Sequence, residues 1–361
     1  MTRALRDSTA RRAARGFVWS VLLMGLWGGV LEAAEPPLVR LLATGGTIAN
    51  RPGQRLTAEE LIDSIPGLNE HVTVETEQFS NVSSAALTLD DWLRLSTRVN
   101  ALLAERPELA GVVVTSGTDT LEETAFFLHL TVRSDRPVVV VGAMRNPSLI
   151  GYDGPANLLQ AFRVAASPES RGRGTLVVLN GQINSARDVT KSDTHSLETF
   201  TSRERGILGL VDRDRVLYYR HLDSRHTSTS EFDVSNIDAL PRVDIVMVYQ
   251  GASGDFIRSL VAAGARGIVV ASAGAGATTR EQRDALAEAA RQGRVVVISS
   301  RTGGGRVARP ADGPQPGGGE DRGYPRVYAE DLTPLKARIL LMLGLTRSGN
   351  VDELQRMFAE Y

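Results

Sequence analysis

Three short polar clusters hold residues able to support attack by a hydroxyl. The first is Thr44-Gly45-Gly46-Thr47. Its two glycines allow a tight turn and bring a substrate close to backbone N–H groups. Thr47 can present its hydroxyl as a nucleophile. The tetrapeptide also reads as a Gly-rich turn with a helix-capping threonine, and it lacks the Gly-Lys-Ser/Thr ending of a phosphate-binding loop. The second cluster, Thr115-Ser116-Gly117-Thr118-Asp119-Thr120, precedes a predicted helix with Glu122 and Glu123 in its first turn. Asp119 or Thr120 would cap that helix in the structural reading. In the functional reading, the free N–H groups and positive potential of the helix start face a carboxylate or a developing oxyanion. One such donor is worth about 3 kcal/mol to a transition state, and Asp119 adds a carboxylate for an α-ammonium group. The third cluster spans residues 187–193, Arg-Asp-Val-Thr-Lys-Ser-Asp. Of 41 lysines and arginines, only Lys191 and Lys336 are lysine. Arginine stays charged, whereas a buried lysine can release its proton. Lys191 is therefore a candidate base or proton shuttle, with chance retention as the alternative. Lys336 precedes the apolar run 339–345 and reads as a solvated helix residue.

These clusters need elements to position them. Short β-branched runs over 38–43, 111–115, 138–142, 175–180, 243–249, 267–272 and 294–299 predict strands. Their nearly continuous apolar character suits strands buried on both faces, as in a parallel sheet. Leu121, Ala125, Leu128 and Val132 form a helical stripe, and residues 279–292 form a second helix closed by Gly293. Alternating strands and helices predict an α/β fold, in which ligands bind beyond the carboxyl ends of the strands. The first two clusters directly follow predicted strands, and the third follows one shortly after. The polar stretch 221–241 reads as a linker between a larger N-terminal doubly wound domain, residues 35–220, and a smaller C-terminal α/β domain, residues 242–361. Residues 303–323, rich in Gly, Pro and charge, read as a mobile surface loop.

Composition narrows the function. The chain has 361 residues, 42% hydrophobic and 23% charged, with net charge -1. It has neither the basic excess of a nucleic-acid binder nor an acidic tail. The absence of cysteine excludes thiol catalysis, disulfides and cysteine-ligated metals. His71, His129, His195, His221 and His226 show no metal-ligand spacing, so no metal or cofactor is expected. At the start, five arginines precede an apolar run over 17–31, and Ala33-Ala34 follow. That order predicts a secretory signal over residues 1–34, with an uncleaved anchor as the alternative. Export would leave a periplasmic or secreted protein free of the membrane.

Taken together and in order, these segments resemble the bacterial type II L-asparaginase family. The resemblance runs through LLATGGTIA (41–49), VVVTSGTDTLEETAFFL (112–128), VVVVGAMR (138–145) and DGPANLLQA (153–161). It continues through RDVTKSDT (187–194), HTSTSEFDVSNIDALPRVDIV (226–246) and LTPLKARILLMLGL (332–345). The resemblance implies hydrolysis of L-asparagine to L-aspartate and ammonia through a threonine acyl-enzyme. Thr47, next to Gly46, would match the nucleophile. Thr118 and Lys191 would handle protons and position the attacking water. Asp119, next to Gly117, would bind the α-amino group, Ser84 the α-carboxylate, and the Ala143 backbone carbonyl would lie near the amide. It also implies a homotetramer built from intimate dimers whose sites are completed by the partner.

The sequence departs from the family pattern at several points. The lid following the first motif is short, residues 50–57, and lacks the family's tyrosine. Ser116 replaces a histidine, Ala85 a glutamine beside the carboxylate-binding serine, and Gly251 the partner-subunit asparagine. The partner-subunit glutamate has no clear counterpart within 303–323, and Tyr152 is unusual before Asp153-Gly154. A shortened lid predicts weaker transition-state stabilisation, unless Tyr152, Tyr324 or Tyr328 takes over. A glutaminase–asparaginase of broad specificity is the nearest alternative, because one methylene is worth only about 1–3 kcal/mol of discrimination. An exported solute-binding protein is the alternative outside enzymes, and it needs no nucleophile.

Overall fold

A computed structural model describes residues 35–310 and 324–361. The expected signal segment, residues 1–34, and most of the expected loop, 311–323, lie outside the described residues. The larger sheet contains β1 (Leu38–Gly45), β2 (Thr73–Val82), β3 (Leu109–Thr115), β4 (Val138–Val141), β5 (Thr175–Leu179), β6 (Gln182–Ser185), β7 (Gly209–Val211) and β8 (Val216–Tyr218). Its order is β8-β7-β6-β5-β4-β3-β1-β2. The five strands from β2 to β5 along this order are parallel, and β6 to β8 extend the sheet antiparallel. The predicted strands 38–43, 111–115, 138–142 and 175–180 are therefore present at the centre. They are legible because Val39, Leu41, Val113, Val139 and Val177 are buried between two layers of helices. One layer holds α1 (Ala58–Asp63) and α4 (Gly154–Ala166); the other holds α2 (Leu89–Glu105) and α3 (Leu121–Thr131).

Strand β2 escaped the apolar pattern because it is an edge strand carrying charge. Its Glu75 and Glu77 pair with Arg40 of β1 at 2.8 Å each, and Arg98 and Arg106 add further ion pairs. Charged side chains of this kind protect a sheet edge from unwanted pairing.

The smaller sheet is parallel, in the order β9 (Val243–Met247), β10 (Gly267–Ser272), β11 (Val295–Ser300), β12 (Val327–Tyr328). Helices α5 (Asp255–Ala262) and α6 (Arg280–Arg291) cover one face, and α7 (Pro334–Leu345) and α8 (Val351–Glu360) the other. Gly293 ends α6 at φ +77°, as its position predicts. Residues 221–241 contain one short 3-10 turn, Thr227–Thr229. Phe232 and Val234 from this stretch are buried with Trp92, Phe126 and Phe127 of the first domain and Leu340 and Leu354 of the second. Helices α2 and α3 of the first domain thus share an apolar core with the smaller sheet and α7 and α8.

Candidate active site

Register places the clusters on one line. Ala43 of β1 pairs with Thr115 of β3, and Thr115 pairs with Val141 of β4. Thr44, Ser116 and Gly142 therefore follow the last paired residues of this ladder at the same level. On the other side of β1, Gly45 pairs with Val82 of β2, which brings Ser84 to the same edge. The strand order β2-β1-β3 makes this a topological switch point, where open α/β sheets form a ligand crevice.

Glycine sets how closely these segments approach. Gly46 has φ +88°, and a Cβ there would lie 2.3 Å from the Gly117 nitrogen. A Cβ on Gly117 would lie 2.8 Å from the Ser84 Oγ. The turn is tied down by Gly46 N–H donating to the Val82 carbonyl at 2.9 Å. The Thr44 hydroxyl donates to the Thr115 carbonyl at 2.6 Å. Thr47 opens a 3-10 turn, Thr47–Ala49, whose capping position is Gly46 and receives no side-chain hydrogen bond. The capping role open to Thr47 in the sequence is therefore not the one it takes. Thr47 is half-buried, with Ile48 and Ala49 fully packed behind it.

The second and third clusters meet side chain to side chain. Lys191 Nζ donates to the Thr118 Oγ1 at 3.0 Å and to the Asp119 Oδ1 at 2.7 Å. Thr118 is buried, whereas the Asp119 side chain is 74% exposed, so its second oxygen faces solvent. Neither Asp119 nor Thr120 caps α3 with its side chain, which corrects the structural reading of this turn. Glu122 does different work. Its Oε1 accepts from the Thr190 hydroxyl at 3.0 Å and from Lys191 N–H at 3.1 Å, which ties the lysine-bearing loop to the start of α3.

Ser84 opens the 3-10 turn Ser84–Ala86 and is buried; Ala85 beside it is exposed. Ala143 is fully buried. The loop after it is fixed by the Asp153 carboxylate, which accepts from Met144 and Arg145 N–H at 3.0 and 2.9 Å. Asn157 Nδ2 donates to the Gly142 carbonyl at 3.0 Å. The structure therefore gathers Gly46, Thr47, Ser84, Ala85, Gly117, Thr118, Asp119, Ala143 and Lys191 at one sheet edge. Gly251 sits in an exposed turn at φ +78°.

Two features were not read from the sequence. Residues 50–55 form a small antiparallel hairpin, with Asn50 paired to Arg55 around Pro52-Gly53. Of the three candidate tyrosines, Tyr152 reaches the Thr47 turn: its hydroxyl donates to the Ile48 carbonyl at 2.6 Å. Burial, helped by Asp153, pushes the Tyr152 phenol above its ordinary value, so the donor proton is retained. The second feature is Lys336. It is not solvated but 1% exposed, with its Nζ donating to the carbonyls of Arg187 and Val189. The helix α7 was expected, but no local pattern announces that its lysine faces another domain.

This edge, with its hydroxyls, lysine and glycine-backed turn, belongs to an amidohydrolase of the asparaginase family. Residues 38–224 match the family described as asparaginase, N-terminal, and residues 242–358 match the glutaminase/asparaginase C-terminal domain. The chain is 38% identical over 349 residues to a Haemophilus influenzae protein named "Probable L-asparaginase periplasmic", covering 94% of this chain and 97% of that one. It is 40% identical over 334 residues to the glutaminase-asparaginase of Pseudomonas fluorescens biotype A, covering 90% of each. The crystal structure titled "Probable Cytoplasmic L-asparaginase from Campylobacter jejuni" superimposes with a TM-score of 0.84 at 39% identity, covering 90% of this chain and 99% of that one.

Proposed function

We propose that this chain hydrolyses L-asparagine to L-aspartate and ammonia through an acyl-enzyme on Thr47. The observation that supports it best is the pair of hydrogen bonds from Lys191 to Thr118 and Asp119, set against the glycine-backed Thr47 turn. The Thr47 Oγ attacks the side-chain amide carbon, and the C–N bond breaks to release ammonia, which takes the hydroxyl proton. Water then attacks the ester, and Lys191 and Thr118 position it and relay its proton back to Thr47. Asp119 keeps an oxygen free for the substrate α-ammonium, and Ser84, beside Ala85, takes the α-carboxylate. With the Gly46 N–H engaged by the Val82 carbonyl, the Thr47 N–H and those of the Gly117–Thr118 turn serve the oxyanion, and the Ala143 carbonyl holds the amide. Residues 35–220 carry these groups, 221–241 act as the linker, and 242–361 complete the protein. Ammonia release from asparagine tests the reading, with Thr47→Ala as the control. An acyl adduct trapped on any other residue overturns the assignment.

L-Glutamine is the second substrate to compare, since a relative is named glutaminase-asparaginase. Similar kcat/KM for both amides would make the broader activity the right description. The working assembly in this reading is a homotetramer of intimate dimers, and a fully active monomer in sedimentation would rule it out. The arginine-rich start and apolar run support export to the periplasm. Intact-mass measurement should show loss of about 30–36 residues, and an intact Met1 terminus in a membrane fraction would reject this reading.

A further inference from the structure

The loop over residues 187–191 is held from both domains. From α3, Glu122 takes the Thr190 hydroxyl and the Lys191 N–H. From α7, Lys336 crosses the shared core to reach the loop backbone. Its Nζ donates to the Arg187 carbonyl at 2.7 Å and to the Val189 carbonyl, and it lies 5.9 Å from the centre of the Phe126 ring. Burying an ammonium costs several kcal/mol unless it is paired and hydrogen-bonded. A side chain retained there only for packing would be better as methionine or leucine. The charged groups around it are Glu122, Asp188 and Asp331, which favour its charge, and Arg187, which opposes it. His129, on the face of α3 packed against it, is kept neutral by burial and by nearby positive charge. A cavity of about 490 Å³, lined by Arg187, Asp188, Thr190, Arg205 and Asp331, adjoins the same loop. Val189 is itself fully buried in an apolar cluster with Ala186 and Phe200, so Lys336 takes carbonyls of a segment that is anchored by packing at Val189 and bordered by the cavity at Arg187 and Asp188.

We propose that Lys336 is a positioning residue for Lys191: it clamps the Arg187 and Val189 carbonyls and so fixes the Lys191 amine against Thr118. The proposal rests on Lys191 being the proton-handling group of the site. An ionised donor bonds a carbonyl roughly twice as strongly as a neutral one. Burial pulls Lys336 down to about 8 from its ordinary 10.5, so the clamp weakens as pH rises through that value. Stability moves the other way. Below about pH 8 both folded and unfolded chains hold the proton, and the folded chain bears the burial cost. Between about 8 and 10.5 the unfolded chain binds more protons, so the contribution of this group to stability rises with pH. A merely structural lysine would not lower kcat in the window where its contribution to stability improves.

The test uses the full chain and asparagine as substrate. Lys336→Gln removes the charge and keeps a donor; Lys336→Met removes both. Ammonia release from pH 6 to 10, thermal unfolding and hydrogen–deuterium exchange across residues 187–194 are measured for each. In the wild type kcat should fall above about pH 8. Lys336→Gln should lower kcat at pH 7 by about 10- to 100-fold, the scale of an ångström-sized misplacement. Its KM should stay within about twofold, its alkaline fall should vanish, and exchange across 187–194 should quicken. Wild-type kcat with an unchanged alkaline limb in Lys336→Gln overturns the proposal. If both variants fail to fold, the wild type decides: protection of 187–194, corrected for intrinsic exchange, must drop between pH 7 and 9, and constant protection overturns the clamp. Lys191→Met separates the two readings. Full activity there removes the role of Lys191 and the proposal with it. Loss of activity there, beside a normal Lys336→Gln, removes the positioning proposal alone.

Discussion

The turn bearing Thr47 and the loop bearing Lys191 serve one sheet edge but are held by opposite means. The Thr47 turn is set by backbone. Gly45 and Gly46 both have positive φ, at +102° and +88°, and Gly46 touches Gly117 with no side chain between them. The Lys191 loop has a short backbone ladder of its own with Phe200 and Thr201, but side chains from distant parts of the chain tie it to the site. Glu122 and Lys336 take its backbone, and the Arg187 guanidinium pairs with Asp331 at 2.8 Å. Geometry made by backbone leaves a local signature, because only particular residues tolerate it. Geometry made by distant side chains leaves none.

The comparison can be broken most severely at Thr47. Thr47→Ala should reduce ammonia release by at least about 10⁴-fold, the scale for losing a catalytic nucleophile. Its melting temperature should stay within about 2 °C, since the glycines and not the hydroxyl shape the turn, and exposed or half-buried groups contribute little. A large fall in melting temperature would show that the side chain builds the turn after all. Gly46→Ala should do the reverse and act on the fold. It places a Cβ against backbone at positive φ, with an expected cost of at least about 3 kcal/mol. Denaturant unfolding at wild-type stability would mean that the turn is not set by glycine.

The Lys191 loop should answer to its ion pairs. Burial pushes the Asp331 carboxyl up, but the Arg187 and Arg205 guanidiniums outweigh it and hold it well below the usual carboxylate range. Its stabilising contribution is therefore complete above the unfolded value near 4 and is lost as pH falls below it. Asp331→Asn should cost about 2 kcal/mol at pH 7, and the difference from wild type should shrink as pH drops below about 4. A difference independent of pH would remove the charge from the explanation.

The smallest effect is expected at the Tyr152 hydroxyl, whose hydrogen bond to the Thr47 turn goes to the Ile48 carbonyl. Tyr152→Phe should cost about 1 kcal/mol of stability and lower kcat/KM for asparagine by less than about tenfold. A loss as deep as that of Thr47→Ala would mean that this hydroxyl has taken over from the missing lid tyrosine. It would also mean that the Thr47 turn, like the Lys191 loop, depends on a distant side chain.

The amino-acid sequence alone determined the central strands, because valine-rich runs buried on two faces admit little else, as in Val112–Val114 and Val138–Val141. It also determined the turn at Gly45-Gly46 and the helix stop at Gly293, where positive φ demands glycine. Lys191 stood out by composition, as one of two lysines in the chain. The tertiary structure decided the rest. It placed the charged edge strand Thr73–Val82, whose stability comes from pairing with β1 and from arginines up to 37 residues away in sequence. It turned Asp119 from a helix cap into a partner of Lys191, across a separation of 72 residues. It also buried Lys336 against a loop 147 to 149 residues earlier. Periodicity reports which face of an element is apolar, but the partner of a buried charge depends on how distant elements pack, and no local pattern carries that information.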